Sequence, residues 1–238
     1  MKISKLIKQR IDQKGAGSLW DLKDFKDLPI QAVVQTLSRL AKQGVLTRVR
    51  KGIYYYPTTT VLGPTTPSVV DVITKIASHK TSKSYFGDTT AFNNLGLTTQ
   101  VPAQLVILGN HQNKTVQIGN QKVVFRHRKT DHLKNATDQT VWALDAIRNI
   151  HRIPDTTAQD ALAKVIQLIQ SGRLDIGKLL HYGQQEPPRV RALLGAIAQH
   201  CGYDGIRLTK TRNSLNPVTK YKLGLGQALP TAQNWNIV

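Results

Sequence analysis

The sequence predicts an α+β chain: an N-terminal winged helix-turn-helix, then a larger mixed domain with a small antiparallel sheet and a helical C-terminal part. Three observations predict it. Over residues 30–41 apolar side chains recur at i, i+3, i+4 and i+7, and the run stops at Gly44, the pattern of an amphipathic helix with a left-handed terminator. Two β-prone runs, 45–50 and 53–56, then flank Lys51-Gly52, which reads as a hairpin. Beyond residue 137 the apolar spacing is mostly helical, with Gly172, Gly183 and Gly202 where helix ends are expected.

Taken in order, residues 4–14 are amphipathic, with Ile3, Leu6, Ile7 and Ile11 at helical spacing, and Gly15 and Gly17 stop the run. Ser18 is placed to cap a second short helix through Phe25, whose Leu19, Leu22 and Phe25 share a face. Pro29 suits the start of the third helix, predicted to run to about Gln43 with Ile30, Val33, Val34, Leu37, Leu40 and Ala41 on its apolar side. Residues 1–57 therefore form the winged unit. The Thr- and Pro-rich stretch 58–67 reads as a linker, and 68–238 as the second domain. There, helices are expected from Ser68 to about Lys80 (capped by Thr66) and near Asp88–Gly96, and strands over 104–108, 115–118 and 121–126. Gly119-Asn120 makes a tight turn between the last two strands. Four helices follow, at 138–149, 158–171, 176–181 and 188–199, and the tail after Gly205 holds at most a short helix and a strand.

Charge narrows the function. Lys and Arg number 33 against 14 acids, a formal net charge of +19, and only one of those acids, Glu186, is a glutamate. Such an excess fits a polyanionic partner, most commonly nucleic acid. No basic amphipathic membrane helix, lipidation signal or spanning stretch of roughly 18 apolar residues is visible, and the N-terminus lacks a signal-peptide core, so no membrane role and a cytoplasmic location are expected. The lone cysteine, Cys201, excludes an internal disulfide or a cysteine-based zinc site and reads as a small core residue.

On the third helix, Gln31, Gln35, Ser38, Arg39 and Lys42 gather opposite the apolar side. Gln can pair with adenine and Arg with guanine in a major groove, while Lys reaches phosphate. The hairpin adds Arg48, Arg50 and Lys51, and strand alternation puts Arg48 and Arg50 on one face. These eight residues form the candidate DNA-binding set. Of Tyr54, Tyr55 and Tyr56, at least one packs beneath the hairpin as core. A second basic surface is expected from Lys122, Arg126, Arg128, Lys129, Arg189, Arg191, Arg207, Lys210 and Arg212, against the plainer reading of a solvated face.

The run AVVQTLSRLAKQGVLTRVRKGIYYYP, residues 32–57, resembles the N-terminal domain of the AbiEi-type antitoxins. Leu37, Arg39, Leu40, Gly44, Leu46, Arg48, Val49, Arg50, Gly52 and Tyr54 occupy the matching positions. The segment Asp88–Pro102 resembles the stretch after that family's linker, and Pro187–Gly195 its late helix. The resemblance implies an antitoxin of a type IV toxin–antitoxin system linked to phage defence (abortive infection), repressing its own operon at double-stranded inverted-repeat DNA. Its functional partner would be a nucleotidyltransferase-like toxin, with direct contact between the two not generally required. The alternative is a basic interaction protein whose C-terminal domain binds an acidic partner or RNA.

Enzyme readings fare poorly, and the chain reads as a non-enzyme without cofactor or metal. Gly224-Leu225-Gly226 lacks the rest of a phosphate loop. His127 and His132 flank Asp131 among basic neighbours that disfavour a metal ion. Asp131, Asp138 and Asp145, which a nuclease reading would need, recur at sevens and read as a helix's polar face.

Overall fold

The computed structural model describes residues 2–77, 83–118 and 120–238. Gly119, and with it half of the expected tight turn, lies outside the described residues, as does the expected helix beyond residue 77. The chain is α+β and divides into two compact units. One comprises 1–80 with 117–122, and the other 81–116 with 123–238.

In the first unit, α1 (Ile3–Lys14) and α2 (Ile30–Lys42) enclose Ile7, Ile11, Val33, Leu37 and Leu40. Each such side chain contributes about 1.5–3 kcal/mol when fully buried. Helix α2 ends as Gly44 allows: at φ +74° it turns the chain so that Val45 N–H donates to Leu40 O (3.0 Å) and Gly44 N–H to Ala41 O (3.1 Å). The sheet is antiparallel, in the order β1 (Leu19–Asp21), β3 (Ile53–Tyr55), β2 (Thr47–Arg50).

Strand β1 corrects the helix expected from Ser18. Backbone pairing of Leu19, Trp20 and Asp21 with Tyr55, Tyr54 and Ile53 overrides the local cap. Ser18 instead donates to Gly15 O (2.7 Å) and accepts from Trp20 Nε1 (2.8 Å). The capping role passes to Asp21, whose carboxylate accepts from Lys23 N–H (2.8 Å), while Asp24 accepts from Asp21 N–H (2.7 Å). Only the single 3-10 turn Leu22–Phe25 remains of the expected helix.

The stretch read as a linker is also ordered differently. It forms a short ribbon of β4 (Thr59–Thr60) and β5 (Gly63–Pro64), and Thr65 Oγ1 sits 3.0 Å from the Tyr55 hydroxyl. The first unit therefore runs past residue 57 and takes in α3 (Val69–Ala77), whose cap is Ser68 rather than Thr66: Ser68 Oγ accepts from Asp71 N–H (3.0 Å).

In the second unit, a strand absent from the sequence reading, β6 (Tyr85–Gly87), precedes α4 (Asp88–Asn94). With β7 (Gln104–Gly109), β8 (Lys114–Ile118) and β9 (Gln121–His127), of which residues 117–122 are counted with the first unit, it makes a four-stranded sheet ordered β6-β7-β9-β8, β6 antiparallel to β7. The helices α5 (Asp138–Arg148), α6 (Ala158–Gln170), α7 (Ile176–Tyr182) and α8 (Pro188–His200) lie within a residue or so of expectation. Thr137, Thr157 and Asp175 cap α5, α6 and α7. Helix α9 (Ile206–Asn213) and a bridge between Tyr221 and Ile237 complete the tail. The main core packs Phe92, Leu144, Leu162, Leu193 and Trp235. Among the described residues no helix is long and apolar enough to cross a membrane.

Candidate functional site

Helix α2 buries Val33, Thr36, Leu37 and Leu40 and turns Gln31, Gln35, Arg39 and Lys42 to solvent, with Ser38 half-buried at the edge. The periodicity overstated the width of its apolar side. Ile30 (55% exposed) and Val34 (41%) lie outside the core and flank the polar face. The outward surface thus combines amide, guanidinium and ammonium groups with two uncovered branched side chains.

The hairpin carries Arg48 and Lys51 in the open, but Arg50 departs from expectation. The register shifts between Arg48 and Arg50, so their partners are Tyr54 and Ile53. Those two are neighbours in sequence and face opposite sides of their strand, so Arg48 and Arg50 do not share a face. Arg50 is half-buried, and its Nη1 is buried without a hydrogen-bond partner. Tyr54 and Tyr55 are buried beneath the hairpin.

Much of the unit's negative charge is consumed internally. Asp21 and Asp24 make the cap, Asp24 also binds Lys75 Nζ (2.5 Å), and Asp27 accepts from Arg10 at 2.8 and 2.5 Å. The Arg10 hydrogen bonds hold the Asp27 carboxyl down at about 2. Arg39, Lys42, Arg48 and Lys51 have no carboxylate partner among the described residues.

The second basic set is not uniformly exposed or unpaired. Lys122, Lys129, Arg189, Arg207, Lys210 and Arg212 are exposed, Arg212 lying over the Trp235 ring at 4.7 Å. Arg191 is half-buried with an unpartnered Nε, and Arg126 pairs with Asp88 (3.0 Å). Arg128 is a correction: its side chain is only 9% exposed. It donates from Nη1 to Asp145 Oδ1 (2.6 Å) and from Nη2 to Glu186 Oε1 (2.8 Å), and stands 5.7 Å from the Tyr85 ring. The other Glu186 oxygen accepts from Arg148 Nε (2.7 Å) and pairs with its Nη2 (2.6 Å).

Asp145, read from sequence as part of a polar helix face, is buried and accepts from Arg128, Asp88 N–H (2.9 Å) and Asn149 Nδ2 (3.2 Å). Burial pushes its carboxyl up, partly offset by Arg128, and burial likewise raises the Tyr85 phenol. Gly87 and Asp88 make the approach possible. A Cβ at Gly87 would stand 2.4 Å from Leu108 and 3.2 Å from Asp145, and Asp88 adopts φ +58°. Sequence reasoning missed this network, although a single aspartate inside the apolar run Val141–Ile147 is the mark of a buried, partnered charge.

No curated protein matches the sequence. Among solved structures, that of the RV2827C protein from Mycobacterium tuberculosis aligns with 92% of this chain and 81% of its own, at 10% identity and a TM-score of 0.45. The model of DUF6088, a family of unknown function, matches residues 6–174, well over half of the sequence, and the chain belongs to that family.

Proposed function

We propose that the chain is a sequence-specific, double-stranded DNA-binding autorepressor that serves as the antitoxin of a type IV toxin–antitoxin system, a cytoplasmic non-enzymatic protein. In this reading residues 1–57 act as a winged helix-turn-helix. The 3-10 turn Leu22–Phe25 takes the place of the helix crossing the backbone, α2 enters the major groove, and the β2–β3 hairpin is the wing. The observation that carries the reading is the outward face of α2, where Gln31, Gln35 and Arg39 stand exposed beside a hairpin whose Arg48 and Lys51 have no acidic partner among the described residues. Ile30 and Val34 fit the same role, because an uncovered branched side chain can lie against thymine methyl groups. The antitoxin role and the nucleotidyltransferase-like toxin rest on the resemblance of residues 32–57.

The test is a gel-shift titration of the full chain against its own upstream DNA, across a range of salt and with scrambled competitor. Arg39→Ala is expected to relax sequence preference by roughly 1–3 kcal/mol. Arg48→Ala is expected to weaken all sequences alike and lower the salt slope by about one. Binding that scrambled DNA abolishes equally, in wild type and both variants, overturns the reading and favours the alternative of an acidic or RNA partner.

A further inference from the structure

Two cavities of the second unit share a wall made by Arg148, Asn149 and Arg152, and they differ in charge. The larger, about 390 Å³, has carboxylates in its wall: Asp88 pairs with Arg126, and Asp145 with Arg128. The other, about 320 Å³, lies between the end of α5 with its following 3-10 turn and the first turns of α8. Its wall carries Arg148, His151, Arg152 and Arg189 and no carboxylate. Glu186 holds Arg148, whereas Arg152 and Arg189 are exposed and have no acidic partner among the described residues.

Two exposed guanidiniums without a carboxylate beside them give the concavity a positive potential that favours an anion. The start of α8 adds to the field. Helix α8 is 13 residues long, Pro187 supplies no side-chain cap, its first turn holds no acidic residue, and the preceding Glu186 is committed to Arg128 and Arg148. The floor is apolar, from Val190, Leu193 and Leu223.

We propose that this cavity binds a small organic phosphate of mononucleotide class. Arg152 and Arg189 hold the phosphates, Arg148 and His151 add donors, and the ligand's ring system lies on the apolar floor. Guanidinium forks match phosphate oxygens two at a time, and the volume is that of an ordinary small-molecule site. A recess of this kind suits an inserted ligand better than the convex backbone of a duplex. The proposal is independent of the DNA-binding reading.

Calorimetric titration of the full chain with pyrophosphate, ATP and CTP at fixed ionic strength tests it. Saturable binding of at least one nucleotide, tighter than pyrophosphate, is expected. Arg152→Gln and Arg189→Gln should each weaken it about tenfold or more, the range of a lost charge-assisted hydrogen bond. Leu223→Ala should weaken the nucleotide but not pyrophosphate, and Lys210→Gln, outside the cavity, should change neither. Because both arginines are exposed, the variants should melt with the wild type, and phosphorus NMR line broadening of the nucleotide gives a second readout of occupancy. The proposal is overturned if no probe saturates, if the two arginine variants bind with wild-type affinity, or if a single-stranded oligonucleotide binds through these residues while mononucleotides do not.

Discussion

Replacing Glu186 with Gln keeps the side chain's shape and removes its charge. Glu186 is 1% exposed and serves Arg128 through one oxygen and Arg148 through the other. The amide keeps one acceptor, but its NH2 group faces a guanidinium. Breaking a buried ion pair by deleting one partner costs about 3–5 kcal/mol. The two arginines suffer unequally. Arg128 retains Asp145, whereas Arg148 loses its carboxylate but is 32% exposed and regains some water. The expected loss therefore sits at the lower end, about 3 kcal/mol. For a domain of this size that is a fall in melting temperature of about 6–12 °C. Thermal unfolding by circular dichroism measures it, with Arg148→Gln alone and the double variant alongside. Gln at both positions can hydrogen-bond while Arg128 and Asp145 remain paired, so the double variant should lose less than the sum of the singles. A Glu186→Gln protein that melts within about 1 °C of wild type, far inside that range, would refute the view that this glutamate closes the network.

Gly195→Ala sets two effects against each other: helix propensity favours alanine by about 0.5–1 kcal/mol, but a Cβ there would stand 2.2–2.5 Å from three ring atoms of Trp235. That ring is buried and tied to Gln199 by a 2.8 Å hydrogen bond, so it cannot step aside, and overpacking of about 1–3 kcal/mol should win; urea unfolding showing equal or greater stability would contradict this. Asp27 should titrate by NMR with a midpoint at about 2, against an ordinary 3.8, and Arg10→Gln should return it towards 3.8. Because the folded-state value is the lower one, the pair stabilises the fold above the ordinary value and that contribution is lost as pH falls towards 2, with high salt shrinking it because the pair is at the surface. The Cys201 thiol, pushed up by burial, should react slowly with a disulfide reagent at neutral pH until denaturant is added, and a fast reaction in the native protein would show it to be uncovered.

Helices were legible where an apolar repeat runs on for three turns or more. Residues 158–170 carry such a 3.6-residue repeat, and the structure agrees to within a residue. What failed were elements defined by a distant partner. Leu19–Asp21 carries no strand signal of its own and becomes a strand because β3 lies alongside, and β6 similarly depends on β7. The outward polar face of α2 was legible, since polarity on a helix face follows from spacing. Arg50 was misplaced because a one-residue register shift is invisible in composition. Arg128 and Asp145 were misread for a different reason. Charge in a sequence reads as surface, and only the fold brings together carboxylates and guanidiniums that lie up to 58 residues apart.

The ribbon formed by 59–64 determines where the N-terminal unit can be cut away. A fragment ending at residue 57 would strand the Tyr55 hydroxyl without Thr65, and would remove α3 together with the Lys75 that pairs with Asp24. Limited proteolysis should therefore spare the Thr- and Pro-rich segment more than its composition implies. A stable excised piece should retain α3, so a truncation designed on composition alone would lose stability for reasons unrelated to any surface it was meant to isolate.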